Sequence, residues 1–541
     1  MSPITGPGLG LGTWPARRAR ISPDAPALLD RHRSLTYAEL AQRVAQVAGG
    51  LARLGVRRGD RVAYLGVNAV EVLETCFAAW SLGAIAVPLN HRLAGDEVRY
   101  MLDDCGAGVL VYSADAAGLV AAAAPLPPSV RHLVAVRPDP SGPDPSGPDP
   151  SGPDRAGEAE FEAEFEADLA ATPPAVSDLS VLSAPSDAAT GLDDPAVLLY
   201  TSGTTGRPKA AILTHGNLTW NTVNQLAHVD LLSTDRTLCI SPLFHCVGLS
   251  QVTLPALLKG ASVELVERFD PALVLSRIAS GITGFAAVPT MLQMLCEHPS
   301  WTGTDLSSLR SVVYGGSPVQ ERVARAWLER GVHLQQGYGM TEASPGVYMA
   351  TRDGTAGHPP TSIGVPHFFT DVAILRDGGP EPVGDEPGEL LVRGPHVGPG
   401  YWERPDETAA SRVDGGWFRT GDVVRADRDG WAFAVDRVKD MFISGGENVY
   451  PAEIEAVAVG HDAVADCAVV GIADERWGEV GVAYVQPRNG AVVDPDELRG
   501  YLSARLARYK VPKHVELVDE LPRNATGKVR RVELLDRAAA R

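Results

Sequence analysis

Between Tyr200 and Lys209 the chain reads Tyr-Thr-Ser-Gly-Thr-Thr-Gly-Arg-Pro-Lys, an apolar run that opens into a loop dense in glycine and hydroxyl residues and closes on a lysine. Glycines let backbone N–H groups approach a polyphosphate, and Ser202, Thr204 and Thr205 add hydroxyl donors. The spacing is not that of a Walker loop. Gly203 and Lys209 stand wrongly apart, Pro208 precedes the lysine, and Ala210 occupies the place where Ser or Thr would hold magnesium. Taken alone, such a loop reads equally well as a polar turn.

Four further segments change that weight: Gln336-Gly-Tyr-Gly-Met-Thr-Glu342, Trp417-Phe-Arg-Thr-Gly-Asp422, Asp436 to Pro451 with its Ser444-Gly445-Gly446-Glu447 core, and Pro522-Arg-Asn-Ala-Thr-Gly-Lys528. In this order the five motifs resemble the adenylate-forming superfamily of acyl-CoA synthetases, adenylation domains and luciferases. Within it the chain is most similar to fatty-acyl-CoA synthetases of actinobacterial type. The resemblance runs from about Pro23 to Val532, leaving out a repeat loop.

The resemblance implies ATP, Mg²⁺ and coenzyme A as reactants. ATP must be held with its α-phosphorus open to a carboxylate while pyrophosphate leaves in line, a step that depends on positioning and charge neutralisation. Matching the family pattern, Thr201, Ser202, Gly203, Thr204, Thr205, Gly206 and Lys209 would hold the phosphates. Glu342 would ligate Mg²⁺ together with Thr204, since the ion prefers oxygen ligands, and Thr341 would contact the α-phosphate. Gly315, Gly316, Ser317, Gly337, Tyr338, Gly339 and Met340 would frame the adenine, with Tyr338 against its face. Asp422 would accept the ribose hydroxyls beside Arg437. Lys528 would follow the charge that builds up between carboxylate and α-phosphate, as a point charge on a flexible stem can.

For the second half-reaction, the resemblance implies that a small domain swings about Lys439 and Asp440. Gly445, Gly446 and Glu447 would then line a tunnel for the CoA pantetheine. From Tyr501 to Arg541 the chain carries ten basic residues against five acidic ones, a landing patch for the CoA phosphates or simply a solvated face. Segments matching the acyl pocket are Leu243–Gln251, Ala286–Met294, Tyr314–Pro318 and Gly337–Met349. They hold no Lys or Arg and no acidic residue besides Glu342. A second carboxylate there would lack a counter-charge, which disfavours dicarboxylic acids. Amino-acid-activating relatives place an aspartate after a phenylalanine at this point, whereas here Phe244 is followed by His245. Met291, Met294, Val247 and Leu249 suggest an apolar cavity for a fatty or aryl monocarboxylate. His245 matches a family histidine at the mouth of the acyl tunnel, though an isolated histidine is more often structural. Ala210 and Ala211 depart from the Gly plus small apolar residue common after the lysine.

These side chains need a scaffold. A chain of 541 residues suggests about three or four folding units. Short β-rich runs such as Ala196–Tyr200 and Ser311–Tyr314 alternate with helical runs such as Gln320–Glu329, the pattern of an α/β protein with mostly parallel sheets. After Asp436 the pattern restarts with a helix at Pro451–Val459, a strand at Ala465–Gly471 and a helix at Pro495–Ala507. The expected organisation is therefore a large N-terminal domain of several subdomains (1–436), a hinge (437–441) and a small, mobile α+β C-terminal domain (442–541). Residues 138–154 repeat Pro-Asp-Pro-Ser-Gly and read as a disordered loop, followed by an amphipathic pattern of Phe161, Phe165 and Leu169.

Composition excludes several classes. With 48 basic and 67 acidic residues the net charge is −19, which argues against binding nucleic acid. Six scattered cysteines offer no CxxC pair, so neither a disulfide scaffold nor a zinc ribbon is expected. The start of the chain does not read as a signal peptide, and the longest apolar stretch, Cys76 to Leu89, falls short of a membrane span. The expectation is a cytoplasmic enzyme, a homodimer included, that takes a hydrophobic monocarboxylic acid and CoA. The competing readings are an adenylating enzyme with a carrier protein, amine or other non-CoA acceptor, and a non-catalytic nucleotide binder.

Overall fold

The computed structural model describes residues 8–136, 190–201, 208–316, 319, 321–350, 362–437, 440–444, 447–474, 477–506, 508–524 and 527–539. The repeat at 138–154 and the Phe161–Leu169 pattern lie outside the described residues. Packing groups the chain into two compact units, Met1–Asp371 with Arg393–Phe418, and Val372–Val392 with Arg419–Arg541. Residues 372–392 and 419–436, which the sequence reading placed in the large domain, thus pack with the C-terminal segment.

The first unit holds two sheets. A nine-stranded sheet runs in the order Val365–Pro366, Gly346–Met349, Leu334–Gly339, Ser311–Tyr314, Gly284–Ala287, Arg236–Cys239, Ser262–Leu265, Pro26–Leu29, Ser34–Thr36. Its central strands are parallel and its edges antiparallel. A seven-stranded sheet runs Gly400–Tyr401, Lys209–Thr214, Pro195–Thr201, Ile85–Leu89, Arg61–Leu65, Val109–Ser113, His132–Val136. Four of its pairings are parallel, and the two that involve Lys209–Thr214 are antiparallel.

One hydrophobic core joins the two sheets, with Leu28, Val263 and Val313 from the first and Val62, Val197 and Leu213 from the second. Helix Val70–Ser81 lies within it and is buried from Val70 to Trp80. A helix buried on all sides has no solvent face to offer. This explains the long apolar stretch from Cys76 to Leu89, which is the end of this helix followed by a fully buried strand. Among the described residues no helix is long and apolar enough to cross a membrane. The helix also buries two carboxylates. Glu74, 2% exposed, takes a two-pronged bond from Arg43 at 2.9 and 3.1 Å, and Glu71 pairs with Arg33. Glu74→Ala takes the carboxylate from Arg43 and empties a buried site, while Arg33 keeps Glu71. The expected cost is about 3 kcal/mol, to be read as a lower urea midpoint at unchanged slope.

The second unit begins with strands Asp371–Arg376, Gly379–Glu381, Gly388–Arg393, Trp417–Ala426 and Ala432–Arg437. Beyond them, Val464–Asp474 and Gly478–Pro487 form a long antiparallel pair. Successive side chains of a strand point to opposite faces, and both faces here are apolar. Cys467, Val469, Ala483 and Val485 pack beneath helices Pro451–Val459 and Pro495–Ser503. Ala468, Val470, Val482 and Tyr484 pack beneath helix Arg531–Ala539. Asp494 caps the middle helix by accepting from the Asp496 and Glu497 amides, which fixes its start. It ends at Ser503, four residues short of the sequence expectation. The six cysteines are all free, and five of them are buried. Burial pushes the Cys105 thiol up to about 11, away from reactivity.

Candidate active site

Parallel neighbours bring the first cluster together. Strands Ser311–Tyr314 and Leu334–Gly339 run side by side, so the residues that follow them emerge at the same sheet end. In open α/β sheets this is where ligands bind. Gly315 thereby meets Gly337, whose carbonyl oxygen would lie 2.9 Å from any added Cβ. At Gly339 a Cβ would fall 1.8 Å from the Pro345 oxygen, so no other residue fits. The chain then makes a tight turn at Thr341–Ala343, pinned by the Met340 amide donating to Pro345 at 3.0 Å. Tyr338 sits edge-on to Tyr348 with ring centres 6.1 Å apart.

The turn meets the segment that carries His245. Cys246 Sγ lies 3.9 Å from Thr341 Oγ1, and His245 is partly buried against the Phe244 ring at 4.6 Å. After Cys246 the chain winds into a wide helical turn, Val247–Thr253, which only Gly248 allows to close against the Pro242 carbonyl. Such turns recur at functional sites. Phe244 also reaches His91 and borders a small cavity lined by Tyr64, Asn68, Val72 and Leu89. Of the four residues expected to line an acyl cavity, Leu249 is fully buried in the main core and Met294 is 49% exposed. Val247 and Met291 are partly buried against core clusters. Each of these two helical segments gives part of its apolar surface to packing, which residue type alone did not reveal.

The phosphate-type loop joins two antiparallel strands, with Thr201 paired to Lys209. Ser202, Gly203, Thr204, Thr205 and Gly206 lie outside the described residues, as does Ser317. Both ends of the loop are anchored. Tyr200 donates to Asp104 at 2.9 Å and to the Met101 carbonyl, while Tyr100 donates to the Pro208 carbonyl at 3.1 Å. Asp104 in turn pairs with Arg404. Lys209 therefore begins a strand, not a helix, and Ala210 and Ala211 after it are fully buried with their methyl groups accommodated.

Strand Gly400–Tyr401 adds to the edge of Lys209–Thr214 and supplies a side chain that sequence reasoning missed. The Tyr401 hydroxyl donates to Glu342 Oε1 at 2.7 Å, and the Lys209 ammonium lies 3.6 Å from the centre of its ring. Burial, and then the Glu342 charge, raise the Tyr401 pKa far above its usual value, so the phenol keeps its proton. Lys209 also pairs with Glu407 at 3.0 Å. The signal available in the sequence was the aromatic pair Tyr401-Trp402 just before Pro405, which by itself reads as a packed loop. Glu342 Oε2 has no hydrogen bond to the described residues, and no group of three ligating side chains occurs among them. That donor set suits Mg²⁺, which is commonly held by one or two carboxylates together with substrate phosphates and water.

In the second unit Asp422 stands opposite Arg437 in an antiparallel pair. The Asp422 amide donates to Thr420 Oγ1 at 3.1 Å, and that hydroxyl donates to the Leu390 carbonyl. Lys528 is exposed on a turn in which its amide donates to Asn524 Oδ1 at 3.0 Å and its carbonyl accepts from the Asn524 amide at 2.9 Å. Gly527 makes that turn at φ 80°, where a side chain would be strained. Ser444 pairs with Glu447. Lys439, Gly445 and Gly446 lie outside the described residues.

Comparison with known proteins sets this geometry in a family. Residues 15–402 match the model for the AMP-binding enzyme, and residues 453–528 match that for the AMP-binding enzyme C-terminal domain. A feruloyl-CoA synthase of Amycolatopsis sp is 47% identical over 97% of this chain and 98% of its own length. A long-chain-fatty-acid–CoA ligase of Mycobacterium tuberculosis is 34% identical over 98% and 99%. The structure of an O-succinylbenzoate coenzyme A synthetase of Bacillus subtilis with ATP and magnesium superposes with a TM-score of 0.80 at 31% identity, covering 97% of this chain and 99% of that one.

Proposed function

Since this chain belongs to the AMP-binding enzyme family and is an ATP-dependent acid–CoA ligase, we propose that its acid is an aryl propenoic acid of the feruloyl type. The enzyme activates a carboxylic acid to its acyl-adenylate with release of pyrophosphate, then passes the acyl group to CoA, with ATP and Mg²⁺ as co-reactants. Near-half identity to a feruloyl-CoA synthase over almost the whole of both chains carries the choice of acid. The fatty-acid ligase is more distant over the same span. The candidate acyl segments support the reading physically. They contain no Lys or Arg, and Phe244, His245 and His91 form a run of edge and tilted ring contacts suited to a flat substrate.

In this reading the acid carboxylate attacks the α-phosphorus and pyrophosphate leaves. Lys209 holds the outgoing phosphates, Thr341 contacts the α-phosphate, and Lys528 neutralises charge that grows between the two reacting groups. Glu342 would hold Mg²⁺, which supplies charge neutralisation to the phosphates. Asp422 accepts the ribose hydroxyls, and His245 orients the acid at the pocket mouth. In the second half-reaction the CoA thiol attacks the acyl carbonyl and AMP departs.

CoA-thioester formation across ferulate, 4-coumarate, cinnamate and a ladder of fatty acids tests this choice. The expected result is a kcat/KM for ferulate at least about tenfold above any fatty acid, equivalent to about 1.4 kcal/mol of differential binding. A fatty acid that matches or exceeds ferulate overturns the choice of acid and leaves the ligase intact.

A further inference from the structure

Lys209, Tyr401, Glu342 and Glu407 form a connected cluster that motif comparison did not assemble, because two of its members come from a later stretch of the chain. Strand Gly400–Tyr401 is held beside Lys209–Thr214 by its pairing with Ala211 and Ile212. The Tyr401 amide donates to Thr408 Oγ1 at 3.0 Å, which ties the strand to helix Pro405–Ala410, and that helix carries Glu407. One phenol thus touches a carboxylate through its hydroxyl and an ammonium through its ring face. The two contacts use different parts of the side chain, so they can be separated by substitution.

We propose that Tyr401 is a positioning residue for the nucleotide site and that Glu407 is a resident counter-anion for Lys209. The proposal rests on the reading of Glu342 as the Mg²⁺ carboxylate and of Lys209 as a phosphate ligand. A hydroxyl donating to Oε1 at 2.7 Å fixes the rotation of the Glu342 carboxylate and leaves Oε2 for the ion. Partners behind a metal ligand commonly govern affinity by about 10–100-fold. The aromatic face holds the Lys209 ammonium in place by cation–π attraction, and Glu407, 3.0 Å away, neutralises it. Incoming phosphates must compete with that carboxylate. Its side chain is 36% exposed against 16% for Lys209, so water can take it up once the phosphates replace it.

The test uses binding as well as turnover. Mn²⁺ affinity is measured by electron paramagnetic resonance with a non-hydrolysable ATP analogue bound, and affinity for the metal-free analogue is measured by calorimetry. Tyr401→Phe is expected to weaken Mn²⁺ at least about tenfold while leaving the metal-free analogue unchanged, because the ring remains. Tyr401→Leu, which loses ring and hydroxyl, is expected to weaken both. Glu407→Gln is expected to tighten the analogue about three- to fivefold and to lower the KM for ATP. Glu342→Gln serves as the control. If it does not weaken Mn²⁺, the assignment of Glu342 itself fails. If it does and Tyr401→Phe does not, the positioning role alone is overturned. An unchanged or weaker analogue affinity in Glu407→Gln overturns the counter-anion role.

Discussion

Lys528→Ala is expected to slow formation of the acyl-adenylate by about 10²- to 10³-fold while sparing transfer from preformed acyl-AMP to CoA. The lysine sits exposed on a turn built by its own backbone, with the Asn524 amide and carboxamide oxygen closing it and Gly527 allowing the left-handed step. These backbone and Asn524 contacts hold the turn, and they remain when Lys528 is shortened to alanine. Pyrophosphate release measured with acid and ATP reports the first half-reaction. A synthetic aryl-adenylate mixed with CoA in a single turnover reports the second. Full-rate adenylation by the variant would remove Lys528 from the mechanism. Equal loss in both halves would mean that the substitution acts on the fold or on binding in general.

The second large effect is on acid stability. His215, His367 and His396 are all buried, with exposures of 0%, 2% and 0%. Burial lowers their pKa values from the usual 6.5 to about 4, about 3 and about 4 respectively. His215 Nδ1 accepts the Leu11 amide at 3.1 Å, and His228 and His367 face each other Nδ1 to Nδ1 at 2.8 Å. The second contact needs at least one unprotonated nitrogen. For His215, Asp194 pulls upward and Arg58 downward, and His228 and His396 add to the lowering of His367. The folded protein therefore keeps all three rings neutral while the unfolded chain takes up protons below about pH 6.5. Stability is full above that pH and falls as the pH drops towards the folded values near 4. Three such groups remove about 4 kcal/mol between pH 7.5 and pH 5.5, before carboxylates titrate appreciably. Urea midpoints across that range check it, and His367→Asn should recover about a third of the loss. A flat profile would show that the rings are protonated within the fold.

Much of this protein was determined by its sequence. The five motifs named the family, because each is a run of glycines, hydroxyls and charges with few other uses. The strand at Ser311–Tyr314 and the helix at Pro451–Val459 were legible from apolar spacing and end signals, and the structure places both at those residues. Local chemistry settles such elements: a proline at the first turn or a β-branched run acts within a few residues.

Other features belong to the tertiary structure alone. Where the packing units divide could not be read from the restart of the pattern at Asp436, because residues 372–392 join the C-terminal part through side-by-side strands far apart in sequence. Leu249 and Met294 look alike as apolar residues of the candidate acyl segments, yet the first is core and the second surface, since packing direction decides burial. Tyr401 was invisible for the same reason. Its role depends on an antiparallel strand that crosses nearly two hundred residues of chain to set one hydroxyl on Glu342 and one ring beneath Lys209. Sequence fixes which groups a chain has, whereas the pairing of distant strands fixes which of them meet.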